Sequence, residues 1–250
     1  MIDTFSGIGG FSLAARWLGG IETVQFVERE PYCHRILAKH WPDVPIHNDI
    51  CTFNPAPGSA DIVCGGFPCQ DISAAGKQAG IKQGTRSGLF YELMRVVRLV
   101  GPRYVVLENV AAITANGMDA VLGRLAEAGF DAEWACIPAS AVGACHRRDR
   151  WWLVAYATSQ GLERRWPSES TAHRLDSNWR SYLSEPVLCR GDDGLSNRVD
   201  RLKALGNAVV PQVAMIPLAR ILRLERLRSA SAANPAGDCF QQREQSGAVR

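Results

Sequence analysis

The stretch DTFSGIGGF, residues 3–11, places three glycines in a turn between a short apolar run and the start of a candidate helix. The missing side chains of Gly7, Gly9 and Gly10 let a ligand approach the backbone, and the N-terminus of a helix presents free N–H groups to it. A nicotinamide-dinucleotide loop would require a further glycine at position 12, where this chain has Ser12. The stretch therefore predicts a site for a nucleotide-like ligand and argues against a nicotinamide-dependent oxidoreductase.

Short apolar runs alternate with amphipathic stretches from this loop to about residue 155. Because only two residues precede Asp3, the first strand is expected to be short. Further strands are predicted at Thr23–Glu28, Ile62–Cys64, Tyr104–Glu108, Asp131–Ile137 and Trp151–Ala155. Helices are predicted at Gly10–Leu18, Pro31–His40, Leu89–Leu99 and Gly117–Ala128. This alternation predicts an α/β fold with a mostly parallel central sheet, helices on both faces, and ligand sites at the carboxyl ends of the strands.

The remainder of the chain lacks this alternation. Residues 156–201 are rich in Ser, Arg, Gly, Asp and Trp and predict a small irregular segment. Residues 202–228 predict a return to the first domain through a helix from about Gln212 to Arg228, and residues 229–250 predict a disordered tail. Between Arg147 and Lys203, eleven Lys and Arg oppose eight Asp and Glu, an excess of three that equals the whole net charge of +3. The excess is a weak indication of a nucleic-acid partner.

Composition argues against several classes of protein. No apolar run reaches about 18 residues, and no basic segment precedes an apolar one at the start, so we expect no membrane span, no leader and a cytoplasmic location. The eight cysteines form no Cys-x-x-Cys pair, which argues against a structural zinc site. We therefore expect no bound metal ion and mostly reduced, buried cysteines.

Two acidic residues follow predicted extended stretches after the glycine loop. Glu28 ends a strand roughly 20 residues beyond the loop, where a carboxylate can accept both hydroxyls of a ribose. Asp49 follows another extended stretch and can accept the amino group of an adenine. Taken alone, each acid is better explained as a helix cap or a plain surface position.

Two further motifs follow predicted strands. The loop GGFPCQDIS, residues 65–73, comes directly after Ile62–Cys64, and a cysteine in a loop shaped by glycine and proline at the edge of a sheet is placed as a nucleophile. Cys69 is that candidate. Glu108 leaves the apolar run 104–107, where partial desolvation raises a carboxyl pKa and suits the group to acid catalysis.

A pair of arginines and a late motif complete the set. Arg148 and Arg150 are two residues apart at the start of a predicted strand, so we expect them to project to the same face and to bind an anionic or carbonyl-bearing partner. The stretch GNAVVP, residues 206–211, lies far down the chain.

Taken in order, these motifs closely resemble those of the DNA (cytosine-5) methyltransferase family. The resemblance rests on the glycine loop, PCQ at 68–70, ENV at 108–110, RDR at 148–150 and GNAVVP at 206–211. It implies a Rossmann-like S-adenosylmethionine-dependent methyltransferase fold. It also implies methyl transfer from S-adenosyl-L-methionine to carbon 5 of a cytosine flipped out of double-stranded DNA, through a covalent adduct at carbon 6, as in restriction-modification systems.

The resemblance implies roles for individual residues. Cys69 would be the nucleophile, Glu108 would contact ring nitrogen 3 and the exocyclic amine, and Arg148 and Arg150 would contact the base carbonyl. The residues implied to bind the cofactor are Phe5, Gly7, Ile8, Gly9, Glu28, Asp49, Pro68, Leu89 and Asn207. Residues 1–155 would form the catalytic and cofactor-binding domain, residues 156–201 a reduced target-recognition segment, and the protein would act as a monomer.

The chain departs from the family's pattern at two places. His146 stands where the family often has glutamine, which we expect to change a supporting contact. The recognition region is short, and Leu195–Arg201 is a candidate for a reduced form of the family's motif there. Two alternatives stay open: a methyltransferase that acts on cytosine in RNA, and a relative that binds DNA or cofactor without catalysis.

Overall fold

A seven-stranded sheet forms the centre of the computed structural model, which describes residues 1–68, 88–158 and 204–233, the last four as backbone only. Its strands are β1 Ile2–Thr4, β2 Gln25–Val27, β3 Ile46–His47, β4 Ile62–Gly66, β5 Tyr104–Val110, β6 Phe130–Pro138 and β7 Asp149–Ala157. They are ordered β3-β2-β1-β4-β5-β7-β6. The first five are mutually parallel, and β7 runs antiparallel to both β5 and β6. The predicted mostly parallel α/β sheet is confirmed.

Five helices of nine or more residues accompany the sheet among the described residues, and residues 204–207 add a single helical turn. The five helices are α1 Gly10–Leu18, α2 Pro31–His40, α3 Leu89–Val100, α4 Met118–Glu127 and α5 Pro211–Ala233. Short 3-10 turns follow β5 at Ala111–Thr114 and β6 at Ala139–Val142. The four helices predicted before residue 155 are confirmed to within a residue at either end, because each carries apolar side chains at helical spacing.

Alternating side chains divide the core into two layers, one on each face of the sheet. Val105 and Leu107 of β5 pack under α3 and α4, whereas Tyr104 and Val106 of the same strand pack under α1 and α5. Strand β7 alternates in the same way. This period-two alternation on buried strands is what a sheet covered on both faces requires.

Two predicted boundaries need correction. Helix α5 continues to Ala233, so residues 229–233 are helical and not part of a disordered tail. Three of these five residues are alanine, the best helix former, and the Ser229 hydroxyl donates to the Glu225 carbonyl oxygen at 2.9 Å. In addition, Tyr156 and Ala157 belong to β7, because they pair with β5 and β6, and not to the segment predicted from residue 156. Most of that segment, residues 159–201, lies outside the described residues, as do residues 202–203 and the tail from residue 234.

One stretch of the described chain, Ala204–Ser229, is long and apolar enough to cross a membrane by length and mean hydropathy. Its buried side is nevertheless packed on the protein's own sheet through Val213, Ala214 and Leu218. Arg220 Nε also donates to Glu133 Oε1 at 2.7 Å. The apolar side of this helix therefore packs on one face of the sheet and covers it.

Gly123, in the interior of α4, should be replaceable with a gain in stability. A Cβ added there meets nothing within 4 Å, and its φ is not in the left-handed region. We expect Gly123→Ala to raise the free energy of unfolding by about 0.5–1 kcal/mol, because alanine loses less conformational freedom on folding. Urea unfolding measures this. Gly101→Ala is the control, since residue 101 has equally open space but a φ of 60°, and it should destabilise the protein. A lower unfolding midpoint for Gly123→Ala would contradict the prediction.

Candidate functional site

The sheet brings the separate motifs to one edge. Thr4 at the end of β1 pairs with Gly65 of β4, and Gly66 pairs with Glu108 of β5. Because these strands are parallel, their carboxyl ends meet at the same edge of the sheet. Strand β7 is antiparallel and begins there, so Arg150 pairs with Val110. The predicted convergence of the loops after β1, β4 and β5 is therefore confirmed.

The loop after β1 forms a cradle lined by backbone. Phe5, Gly7 and Gly9 all have left-handed φ values, of 51°, 54° and 84°. The Ser6 hydroxyl donates to the Asp3 carbonyl oxygen at 2.5 Å, which fixes the turn. A Cβ at Gly9 would lie 2.7 Å from the Trp41 ring, so only glycine fits there. No side chain caps the N-terminus of α1, so its first N–H groups are available to a polar ligand.

Glu28 fastens this cradle to the next strand. Its Oε2 accepts the Gly7 N–H at 2.7 Å, and its Oε1 accepts the N–H groups of Arg29 and Glu30, each at 2.8 Å. A carboxylate oxygen has two lone pairs, so Oε2 keeps the capacity to accept one further donor. The predicted ribose acceptor thus has a role that the sequence did not reveal, because it also sets the conformation of the glycine loop.

Asp49 lies half-buried in the turn after β3. Its Oδ1 accepts the Cys51 N–H at 3.0 Å, and this hydrogen bond holds the pKa of Asp49 below its ordinary value. The carboxylate is therefore ionised at neutral pH, as an acceptor of an amino group must be.

A buried polar network anchors α1 and was not predicted. The Thr23 hydroxyl donates to Ser12 Oγ at 2.9 Å, and the Ser12 hydroxyl donates to Asp3 Oδ2 at 2.6 Å. Burial raises the pKa of Asp3 to about 7. The signal in the sequence was Ser12 itself, a hydroxyl at the position where a dinucleotide loop has glycine, on the side of α1 that faces the first strand.

Glu108 is an acid with a raised pKa. Its side chain is 12% exposed, and burial raises its pKa to about 6 although Arg150 and Arg148 act in the opposite direction. Its Oε1 lies 3.0 Å from Arg150 Nε, and a Cβ at Gly66 would lie 3.0 Å from its Oε2. The group can therefore hold or release a proton near neutral pH, as the sequence predicted for acid catalysis.

The two predicted arginines have different partners. Arg150, the second residue of β7, contacts Glu108. Arg148 precedes the strand with a left-handed φ of 36°, and its Nη2 donates to the carbonyl oxygens of Gly206 and Ala208, each at 2.9 Å. Arg148 precedes β7, so the alternation of side chains within a strand does not apply to it. The shared contact of both arginines with a base carbonyl stays a prediction.

Asn109 makes a hydrogen bond to the backbone two residues before the predicted nucleophile, Cys69. It is buried, and its Nδ2 donates to the Phe67 carbonyl oxygen at 3.2 Å. Phe67 is itself buried and packs on the Phe90 ring at 5.0 Å between centroids. Pro68, next in the chain, is half-buried, while Cys69 lies outside the described residues.

The glycine loop, the arginines and the late motif enclose a cavity of about 650 Å³. This volume is typical of cofactor sites, which range over about 300–1,000 Å³. Its lining includes four of the predicted residues, Ile8, Gly9, Arg148 and Arg150, together with the unpredicted Val209 and Pro211. The lining does not include the other predicted cofactor residues, which are Phe5, Gly7, Glu28, Asp49, Pro68, Leu89 and Asn207. Leu89 is half-buried at the start of α3, and Asn207 is exposed.

The family comparison and the comparison with single proteins both find methyltransferases. The model of the family described as C-5 cytosine-specific DNA methylase matches residues 1–190. The chain is 33% identical over 214 residues to the type II methyltransferase M.CviJI of Paramecium bursaria Chlorella virus IL3A, covering 84% of this chain and 56% of that protein. It is 33% identical over 163 residues to M2.BsuMI of Bacillus subtilis (strain 168), covering 62% of this chain and 41% of the relative. The chain thus spans about half of the length of these relatives.

A solved structure shares the fold. The crystal structure of a Dnmt2 mutant from Spodoptera frugiperda superposes with a TM-score of 0.54 at 20% identity. The match covers 67% of this chain and 53% of the other. At this identity the likeness supports the fold alone.

Proposed function

Because this chain belongs to the family of C-5 cytosine-specific DNA methylases, we propose that it transfers a methyl group from S-adenosyl-L-methionine to carbon 5 of cytosine in double-stranded DNA. The observation that carries the proposal is the Glu108–Arg150 pair, which lies at the edge of the sheet where β4 leads into the Cys69 loop. An acid with a pKa near 6 beside a fixed guanidinium suits the activation of a neutral base.

Cys69 is the proposed nucleophile. Carbon 5 of cytosine is a poor nucleophile until an electron-rich group adds at carbon 6. The thiolate of Cys69 forms the S–C6 bond, and the electrons of the C5–C6 double bond move to carbon 5, which takes the methyl group. A base then removes the proton from carbon 5, the double bond re-forms, and the S–C6 bond breaks to return the thiolate.

Glu108 and Arg150 are proposed to stabilise the ring while Cys69 is attached. Addition at carbon 6 pushes negative charge toward nitrogen 3, and Glu108 supplies or shares a proton there. Arg150 orients the Glu108 carboxyl through its Nε and contributes a positive charge beside the base carbonyl. The base must leave the duplex to reach these groups, at a cost of roughly a few kcal/mol of unstacking.

The residues present fit S-adenosyl-L-methionine. The backbone cradle at Phe5–Gly9 and the uncapped start of α1 suit a polar ligand, and Glu28 keeps acceptor capacity for a ribose hydroxyl. Asp49 offers an ionised acceptor for the adenine amino group. Pro68, Leu89 and Asn207 are proposed to line the same ligand. When bound, the cofactor supplies an electrophilic methyl group on its sulfonium.

Arg148 is proposed to position the late motif and not to touch the base. Arg148→Met removes the donor to Gly206 and Ala208, so we expect the affinity for S-adenosyl-L-homocysteine to fall about tenfold, in line with the loss of charged hydrogen bonds. Titration calorimetry measures the Kd. Arg147→Met is the matched control, because that side chain is 85% exposed. An unchanged Kd with a large loss of kcat would instead assign Arg148 to the base carbonyl.

The remaining assignments are part of the same proposal. Residues 1–155 with β7 complete form the catalytic and cofactor-binding domain, the segment up to residue 201 recognises the target, and residues 202–228 return the chain to the first domain. We propose that the protein works as a cytoplasmic monomer without a metal ion. The predicted recognition segment is short, so we expect phosphate contacts to dominate DNA affinity.

The test is methyl transfer from radiolabelled S-adenosyl-L-methionine to three substrates with EDTA present. These are unmethylated duplex DNA, the same duplex carrying 5-methylcytosine at every cytosine, and RNA of the same sequence. Label in the unmethylated duplex alone is the expected result. Label in RNA alone would show that the substrate is RNA and not DNA. Cofactor binding without label in any substrate would favour a non-catalytic relative.

A further inference from the structure

Arg95, on α3, makes hydrogen bonds that none of the roles above explains. Its Nη2 donates to the carbonyl oxygens of Ile50 at 2.6 Å and of Phe53 at 3.0 Å. Its Nη1 donates to Asn54 Oδ1 at 2.9 Å, and its Nε donates to Glu92 Oε2 at 2.7 Å. One side chain thus joins α3 to a turn more than 40 residues earlier in the chain.

That turn begins at Asp49. The Asp49 carboxylate accepts the Cys51 N–H, and the backbone carbonyl oxygen of Asp49 accepts the Thr52 N–H at 3.1 Å. The Phe53 N–H donates to the Ile50 carbonyl oxygen at 3.3 Å, which closes a second bond of the turn. Ile50 and Phe53 are buried, whereas Asp49 is half-buried. The direction of the Asp49 side chain is therefore set by a turn whose other carbonyl oxygens converge on Arg95.

The geometry suits arginine and not lysine. A guanidinium has five N–H donors in a rigid plane, so it can serve several carbonyl oxygens and a carboxylate at once. Glu92, one turn earlier on the same helix, accepts a hydrogen bond from Arg95 Nε and so fixes the orientation of the guanidinium plane. An ammonium group at the same position would satisfy fewer of these acceptors and would leave the turn less fixed.

We propose that Arg95 is a positioning residue for the cofactor, which fixes the turn after Asp49 so that this carboxylate is already oriented for the adenine amino group. The inference rests on the proposed function, in which Asp49 accepts that amino group. An acceptor that is held in place before binding loses less conformational freedom when the ligand arrives, and this raises affinity. Arg95 thus acts on Kd through Asp49 and has no part in the chemical step.

The experiment is calorimetric binding of S-adenosyl-L-homocysteine to the full chain and to four variants. Arg95→Met should weaken binding about tenfold. Arg98→Met, on the same helix with an exposed ion pair to Glu127, is the matched control and should bind within twofold. Asp49→Asn should weaken binding in its own right, and the Arg95→Met change should add little in the Asp49→Asn background, because the two residues act on one contact. kcat at saturating cofactor should stay close to that of the unmodified chain for Arg95→Met.

Two results would overturn the inference. One is wild-type affinity in Arg95→Met. The other is an equal loss in both Asp49 backgrounds, which would show that Arg95 acts on stability in general. If Arg95→Met does not fold, Arg95→Lys replaces it, and wild-type affinity in that variant would refute the inference as well. Absence of binding by the unmodified chain would refute the proposed function itself, which separates the two failures.

Discussion

Methyl transfer should disappear in Cys69→Ala, with a loss of at least about ten-thousand-fold in kcat, the scale on which removal of a covalent nucleophile acts. Without the S–C6 bond, carbon 5 does not gain the electron density needed to take a methyl group. The assay is transfer of label to unmethylated duplex DNA. Cofactor affinity should be retained, because alanine at residue 69 removes only the thiol. Cys136→Ala is the control, since that cysteine is exposed on the edge strand β6.

A fluorinated substrate tests the covalent step directly. When fluorine replaces the hydrogen on carbon 5, no base can remove it as a cation, so the double bond cannot re-form after methyl transfer and Cys69 stays attached. Duplex DNA containing 5-fluorocytosine should therefore give a protein–DNA complex that survives denaturing electrophoresis, with the cofactor present. Cys69→Ala should give none. A complex of equal yield in that variant would assign the nucleophile to another residue.

Glu108→Gln should reduce kcat by about 10²–10⁴-fold, the range in which positioned acids contribute. Glutamine preserves the shape of the side chain and can still donate a hydrogen bond, but it cannot transfer a proton to nitrogen 3. The measurement is single-turnover methyl transfer at saturating cofactor and DNA. Glu127→Gln is the control, because Glu127 is exposed at the end of α4 and pairs with Arg98 and Arg124 on the surface.

The same variant should be more stable than the parent above pH 6. The pKa of Glu108 is raised from 4.5 to about 6 by burial, so the folded state holds the proton more tightly than the unfolded state does. This contribution to stability is fully present below pH 4.5 and is lost as the pH rises through 6. Glutamine cannot ionise, so Glu108→Gln should gain about 2 kcal/mol at pH 8, an advantage that vanishes below pH 4.5.

Urea unfolding at pH 4 and pH 8 measures this difference. A variant that loses activity while gaining stability at pH 8 would exclude unfolding as the cause of the lost activity. Lower stability at pH 8 would mean that the ion pair with Arg150 outweighs the burial of the carboxylate, and the pKa of Glu108 would then be lowered and not raised in the folded state.

Local sequence determined the elements and the identity of most site residues. The glycine loop could be predicted from the sequence, because the left-handed φ values at Gly7 and Gly9 are favourable for residues without a Cβ. The helices could be predicted from the helical spacing of apolar residues, and the parallel sheet from the alternation of strands with helices. The family's motifs then indicated Cys69, Glu108, Arg148 and Arg150 as the chemical centre. These roles stay predictions, and Cys69 lies outside the described residues.

Only the tertiary structure decided what these residues contact. The two-residue strand β3 is too short to give a pattern, and the antiparallel pairing of β7 between β5 and β6 is set by contacts distant in the chain. The bonds of Arg148 to Gly206 and Ala208, and of Arg95 to the turn after Asp49, join residues 41 to 60 positions apart. The raised pKa values of Asp3 and Glu108 come from burial against other segments, which are α1 for Asp3 and strands β4 and β7 for Glu108. Sequence patterns report periodicity along one segment, whereas burial and partners depend on which segments pack together, and for that reason the site's electrostatics required the folded chain.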